Sequence, residues 1–276
     1  MGKLDGQVAL ITGAARGQGR AHALTLARAG ADVAICDIAD PVGTVPYELP
    51  TSADLEAVKR DVEALGRRCL AMTADVTRSA DLEALAARTI AELGRIDACV
   101  ANAGILSGGV PSWDLTEEQW DTLMAINLKG VWLTCKHVLP HMVERGSGSV
   151  VLTSSVSGVL GTPGISHYIA AKHGVLGLMK SLANEAGRFG VRVNAVMPGA
   201  VDNAMLNNPF SYSTFTGGAG ATRADVDPAV EQMALLPGGW VTNEDVAEAV
   251  LWLVSDASRH VTGVALPIDA GLIVKV

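Results

Sequence analysis

Basic residues are scarce in this sequence: 21 Lys and Arg stand against 29 Asp and Glu, for a formal net charge of -8. A nucleic-acid surface needs a basic stripe to displace counterions, so that class of partner is set aside. Long apolar runs are lacking too. The composition is 49% hydrophobic with a mean hydropathy of +0.30, yet Arg16, Arg20, Arg28 and Asp32 interrupt the N-terminal segment before it reaches membrane-spanning length. The opening Gly2-Lys3-Leu4-Asp5 has no signal-peptide core, and a soluble cytoplasmic protein with no membrane partner is expected. Cysteines are few and far apart. Cys36, Cys69, Cys99 and Cys135 show no C-x-x-C spacing, which points to buried free thiols in a reducing compartment. His137 and His141 are four apart on a predicted helix, but Pro140 falls between them and the Glu of an H-E-x-x-H site is absent. They read as packing or surface histidines, and no metal is expected.

With 276 residues the chain can bury a full core. Val8-Ala9-Leu10-Ile11 is a short continuous apolar run, the pattern of a strand buried on both faces. It leads directly into Thr12-Gly13-Ala14-Ala15-Arg16-Gly17-Gln18-Gly19, and a helix is predicted from Ala21 to Ala29. A strand, a Gly-rich turn and a helix N-terminus can hold a diphosphate, because the backbone approaches closely and offers unpaired N–H groups. The spacing is G-x-x-x-G-x-G, and no Lys-Ser or Lys-Thr follows as in a P-loop. A second run, Asp32 to Asp37, ends in an acid placed to accept hydrogen bonds from ribose hydroxyls and to repel a 2′-phosphate. NAD is therefore favoured over NADP, although Arg16 could attract that phosphate.

Residues 38–52 hold three prolines and no periodicity; a place over the adenosine end of the cofactor and a plain surface loop are equally open. Helices follow from Ala53 to Leu65, with Thr51 and Asp54 in capping-box spacing, and from Ser79 to Leu93. Strands are predicted at Arg68–Ala74, Ala98–Ala101, Ser149–Ser154, Val191–Val196 and Ala265–Asp269. The third ends at Asp75-Val76, where Asp75 could meet the adenine amino group, and the fourth opens into Asn102-Ala103-Gly104. Thr116 to Gln119 caps a helical region running towards Arg145 that contains Asn127, an unfavourable residue inside a helix. From about 200 to 240 the pattern fades, and a mobile substrate lid is expected. Thr242 to Asp245 caps one more helix. The alternation implies an α/β fold: a single Rossmann-type domain over residues 1–276, a doubly wound parallel sheet of about seven strands with helices on both faces.

Tyr168 and Lys172 lie one helical turn apart, after Ser154-Ser155. A phenol titrates near ~10, and lowering that to neutral pH requires roughly 4 kcal/mol. One positive charge about 4 Å away at an effective dielectric near 20 supplies about that much. The set reads as a proton-transfer centre for hydride chemistry. A methyltransferase shares the Gly-rich turn but has no use for Ser155, Tyr168 and Lys172. A non-catalytic NAD-binding sensor has no need to keep them, and a serine hydrolase lacks its G-x-S-x-G elbow.

Over essentially its whole length the chain resembles the short-chain dehydrogenase/reductase family. The resemblance rests on Thr12-Gly13-x-x-x-Gly17-x-Gly19, Asp37, Asp75, Asn102-Ala103-Gly104, Asn127, Ser155, Tyr168 and Lys172. It implies a catalytic tetrad of Asn127, Ser155, Tyr168 and Lys172, in which Tyr168 moves the proton, Ser155 orients the reacting oxygen, Lys172 lowers the Tyr168 pKa and binds the nicotinamide ribose, and Asn127 holds a relay water. It also implies that Pro198, Gly199 and Val201 lie near the nicotinamide; many members carry a Thr shortly after this Pro-Gly, where this chain has Asn203. The 38–52 insertion, Gly66-Arg67-Arg68 and the run Thr262 to Gly271 are similar to mycofactocin-coupled carveol dehydrogenases. That subgroup implies oxidation of a secondary cyclic or terpenoid alcohol, tightly held NAD, a separate redox partner and a homotetramer. A short-chain reductase of 3-oxoacyl or steroid-like carbonyls is the alternative.

Overall fold

Short apolar runs separated by amphipathic stretches fold here into alternating strands and helices. The computed structural model describes residues 2–38 and 40–276; Met1 and Ala39, the latter within the 38–52 insertion, lie outside the described residues. The strands are β1 (Val8–Thr12), β2 (Asp32–Asp37), β3 (Cys69–Thr73), β4 (Ala98–Ala101), β5 (Gly148–Thr153), β6 (Val191–Pro198) and β7 (Ala265–Ile268). They form one sheet in the order β3-β2-β1-β4-β5-β6-β7, and every neighbouring pair is parallel. Every residue of β1, β2 and β4 is buried, because helices cover both faces.

The helices are α1 (Gly17–Arg28), α2 (Ser52–Ala64), α3 (Ser79–Leu93), α4 (Glu117–Met124), α5 (Gly130–Arg145), α6 (Ser166–Ala186), α7 (Pro209–Thr216), α8 (Arg223–Met233) and α9 (Asn243–Val254). One core layer joins α1, α2 and α9 to the sheet through Leu26, Val62 and Val250, and the other joins α3, α5 and α6 through Leu85, Val138 and Met179. Capping boxes start α2 at Thr51 and Asp54, α4 at Thr116 and Gln119, and α9 at Thr242 and Asp245. From β1 the chain winds outward through β2 and β3, then crosses back to β4 on the other side. The carboxyl ends of β1 and β4 therefore border the crevice where doubly wound sheets bind ligands.

Several expectations need correction. Helix α1 begins at Gly17, inside the Gly-rich turn, so its N-terminus reaches the crevice. The helical region predicted towards Arg145 is met, with α5 continuous through Pro140. His137 shares a hydrogen bond with Ser79 Oγ at 2.9 Å, and His141 Nε2 accepts one from the Ile96 N–H at 3.3 Å, so both pack. The faded 200–240 segment contains α7 and α8. Asn208 caps the first, accepting from the Ser211 N–H at 2.9 Å, and a capping box of Thr222 and Asp225 starts the second. Their local start signals were present: Asn208 stands directly before Pro209, and Thr222 follows the Gly217 to Gly220 run that ends α7. All four cysteines are free; three are buried and Cys69 is half-buried.

Candidate active site

The turn after β1 comes within van der Waals contact of the turn after β4. A Cβ at Gly13 would lie 2.7 Å from the Ala103 Cα, and the φ of +67° there also favours glycine. At Gly19 a Cβ would lie 2.0 Å from the Gly13 carbonyl oxygen. Asn102 locks this junction: its Nδ2 donates to the carbonyls of Thr12 (3.1 Å) and Gly13 (3.2 Å), and its Oδ1 accepts from the Thr153 hydroxyl at 3.3 Å. Thr12 Oγ1 accepts from the N–H groups of Asn102 and Ala103, each at 3.1 Å. One amide side chain thus ties together the ends of β1, β4 and β5.

A cleft of about 660 Å³ opens over these strand ends. It is lined by every residue singled out from the sequence: Gly13, Arg16, Gly17, Gln18, Gly19, Asp37, Asp75, Val76, Asn102, Ala103, Gly104, Asn127, Ser155, Tyr168, Lys172, Pro198, Gly199 and Val201. At one end lies Asp37, whose carboxylate accepts from the N–H groups of Ala15 at 3.0 Å and Ile38 at 2.9 Å. Asp75 Oδ1 accepts from the N–H of Thr77 at 2.9 Å and its hydroxyl at 2.7 Å. The Gln18 Oε1 is buried with no hydrogen-bond partner among the described residues, an unsatisfied acceptor on a residue that lines the cleft.

At the other end Ser155, Tyr168 and Lys172 come together. Ser155 leaves β5 in an extended conformation and caps a short turn, its Oγ accepting from the Ser157 N–H at 3.1 Å and donating to the Pro198 carbonyl at 3.5 Å. Helix α6 puts Lys172 one turn beyond Tyr168, with Nζ 5.4 Å from the centre of the phenol ring. That Nζ donates to the Thr153 carbonyl at 2.8 Å. Burial pushes the Lys172 ammonium down to about 8. Burial pushes the Tyr168 phenol up to about 12, against the Ser155 side chain, which works downwards. The lowered phenol expected from sequence is therefore not met in this structure. The ammonium sits over the ring face and gives its hydrogen bond to the Thr153 carbonyl.

Asn127 explains its place inside a helix. It lies in a π-helical segment, Ala125–Lys129, that joins α4 to α5. The side chain is fully buried; Oδ1 accepts from the Ile105 N–H at 2.9 Å and Nδ2 donates to the Ile105 carbonyl at 2.8 Å. The amide does for the segment after β4 what a neighbouring strand would do.

Other wall residues were not singled out from the sequence. Val42, Leu49 and Pro50 of the insertion line the cleft as well. Tyr47 accepts a hydrogen bond from the Leu106 N–H at 2.9 Å, and the Arg16 guanidinium lies 5.7 Å over its ring. Arg16 also donates to the Glu48 carbonyl, so the insertion is tied to both sides of the cleft. Leu206, Phe215 of α7, Met233 of α8 and Leu272 near the C-terminus line it too. The one available signal was the three prolines of the insertion, which mark a segment held in a fixed path.

The comparisons agree with this architecture. A family model described as enoyl-(acyl carrier protein) reductase matches residues 13–273. A (-)-trans-carveol dehydrogenase of Rhodococcus erythropolis is 47% identical over 281 residues, covering 100% of both chains. The crystal structure of carveol dehydrogenase from Mycobacterium avium in complex with NAD superposes with a TM-score of 0.97 at 42% identity, covering 100% of each chain. That of a short-chain dehydrogenase from Mycobacterium paratuberculosis bound to NAD gives 0.88 at 38%, covering 99% of this chain and 100% of that one. Fold, strand-end cleft and full-length likeness together establish that the chain belongs to the short-chain dehydrogenase/reductase family.

Proposed function

We propose that this protein is an NAD-dependent oxidoreductase that interconverts a neutral, apolar secondary alcohol, cyclic or terpenoid and carveol-like, with its ketone. The observation that carries the reading is the distribution of charge in the cleft. Among the residues lining it, the charged side chains are Arg16, Asp37, Asp75 and Lys172; Leu160, Met205, Leu206, Phe215, Met233 and Leu272 also line it, and the polar residues Thr162, Asn203, Ser211 and Thr214 that line it with them are neutral. A neutral hydrocarbon ring is desolvated there at no electrostatic cost, whereas a charged substrate finds no partner. The named activity of the Rhodococcus relative, which covers the whole chain, supports the same class.

Gly13, Gly17, Gln18 and Gly19 would hold the diphosphate at the α1 N-terminus, Asp37 the adenosine ribose, Asp75 and Val76 the adenine, and Pro198, Gly199 and Val201 the nicotinamide. Bound NAD supplies the hydride acceptor and a positive ring charge at the Tyr168 end of the cleft. Ser155 orients the substrate oxygen by hydrogen bonding, and Tyr168 takes the hydroxyl proton as the hydride leaves carbon, or returns it in the reverse direction. Lys172 binds the nicotinamide ribose and favours the phenolate. Because the Asn127 side chain is fully engaged by Ile105, a relay water beside Lys172 would be held by the Asn127 main chain.

We further assign the 38–52 insertion to holding NAD in place through Arg16 and Tyr47, with re-oxidation by a separate, mycofactocin-type redox partner. The 200–240 segment forms the substrate cover, on one domain spanning residues 1–276. Exposed Trp120 and Trp132 on α4 and α5 support assembly into a homotetramer. Among the described residues no helix is long and apolar enough to cross a membrane, and a cytoplasmic location fits four free thiols. The test is a screen of cyclic and terpenoid alcohols with NAD, paired with Tyr168→Phe. The variant is expected to bind NAD as the parent does and to lose oxidation; wild-type turnover in the variant would refute the mechanism.

A further inference from the structure

His167 precedes Tyr168 in the chain and has no part in the chemistry above. It is fully buried at the start of α6, and its Nε2 shares a 3.1 Å hydrogen bond with the equally buried Ser107 hydroxyl. Nδ1 lies near the Ile165 carbonyl without a well-formed hydrogen bond. Burial holds the imidazole pKa below its ordinary value, and a helix N-terminus disfavours a cation as well. A neutral, half-satisfied imidazole is a costly way to fill space that an apolar side chain would fill better. Its use lies in what it joins.

Ser107 belongs to the segment after β4 that carries Leu106 along the cleft wall. The same segment is tied to the lead into α6 at two more points: the Gly109 N–H donates to the Gly164 carbonyl at 2.9 Å, and the hydroxyls of Ser112 and Ser166 share a hydrogen bond at 2.9 Å. At Gly108, between these ties, a Cβ would lie 2.8 Å from His167 Cε1, so the backbone rests directly on the imidazole. Of the three side-chain or backbone ties, the one between Ser107 and His167 is wholly buried and stands nearest Tyr168 in sequence.

We propose that His167 is a positioning residue for proton transfer: with Ser107 it fixes the spacing between the Leu106 wall, against which the substrate rests, and the Tyr168 hydroxyl. This rests on the acid/base role given to Tyr168 above. Misplacing a reacting group by about 1 Å costs on the order of 100-fold in rate, so a tie of this kind matters to turnover without touching substrate.

The test uses the full-length protein and the variants His167→Leu, His167→Gln and Ser107→Ala. For an alcohol found by the screen, His167→Leu is expected to lower kcat/KM by about 10- to 100-fold with NAD affinity unchanged. His167→Gln, whose amide reaches Ser107, restores most of it. Adding Ser107→Ala to His167→Leu gives no further loss, as coupled neighbours should. A second readout needs no substrate. The chain has three tyrosines, so tyrosine labelled with 13C at Cζ gives three signals, and that of Tyr168 is the one lost in Tyr168→Phe. His167→Leu is expected to shift or broaden the Tyr168 signal, and His167→Gln to leave it in place. If His167→Leu fails to fold, Ser107→Ala must displace the signal instead. An unmoved Tyr168 signal in the folded variants, or equal losses in His167→Leu and His167→Gln, overturns the proposal. Failure to find any oxidised alcohol counts against the proposed function alone, since the labelled signal still decides the role of His167.

Discussion

Replacing Asn127 with Ala removes two hydrogen bonds to one buried residue, and the loss can be worked from the structure. The Ile105 N–H and C=O are held at 2.9 and 2.8 Å by the Asn127 amide, which has no exposed surface. Each buried backbone group left without a partner costs about 1–3 kcal/mol. Partial relaxation of the segment after β4 and of the π-helical turn recovers some of this, for a net loss of roughly 2–4 kcal/mol. Urea unfolding followed by the fluorescence of the five tryptophans measures it directly. Ile105 and Leu106 both line the cleft, so KM for the alcohol is expected to rise in the same variant. A loss below about 0.5 kcal/mol, the size of an ordinary surface substitution, would show that Asn127 does not hold this segment and would refute the reasoning.

Two further outcomes are expected. Lys172 ionises near 10.5 when unfolded and near 8 when folded, so below pH 8 both states carry the proton. Between about pH 8 and 10.5 only the unfolded chain still binds it. Stability from this group therefore rises with pH across that window, by on the order of 3 kcal/mol in total. Tyr168, pushed up to about 12, works in the opposite direction only above pH 10, but the four cysteines, all raised by burial, oppose Lys172 from about pH 9, where the unfolded thiols lose their protons. Lys172→Met should therefore make the unfolding free energy fall more steeply between pH 8 and 9.5 than it does in the parent, and an unchanged pH dependence would remove Lys172 from this role. Asp37→Ala should weaken discrimination between NAD and NADP, read as the ratio of kcat/KM values. It should also loosen the Gly-rich turn, because the Ala15 N–H loses its acceptor; an unaltered ratio removes Asp37 from cofactor selection.

Much of the site was legible in the sequence because its residues act through types and spacings that physics constrains locally. Gly13 and Gly19 are dictated by backbone contacts of 2.7 and 2.0 Å that a Cβ would create, and Asp37 by its place at the end of a buried strand. Tyr168 and Lys172 follow from the pitch of a helix. The phenol pKa was not legible, since it depends first on how deeply the phenol itself is buried. Nor were α7 and α8, which are short, are separated by the Gly217 to Gly220 run, and turn apolar positions both to the cleft and to a small separate core around Val226 and Val230. The strap formed by Arg16, Tyr47 and Leu106 joins positions up to ninety residues apart, and no local pattern announces such a contact. Asn127 was conspicuous as a polar residue inside a helix, but its partner Ile105 became visible only in three dimensions.

The central claim is hydride transfer from a neutral cyclic alcohol at the Ser155–Tyr168–Lys172 end of the cleft. It is tested most directly by incubating the protein and NAD with a cyclic secondary alcohol deuterated at the carbinol carbon, then weighing the reduced cofactor by mass spectrometry. The account predicts one deuterium in the reduced cofactor and stoichiometric ketone, both lost in Tyr168→Phe. Reduced cofactor without deuterium, or undiminished label transfer in the Tyr168→Phe variant, would contradict it.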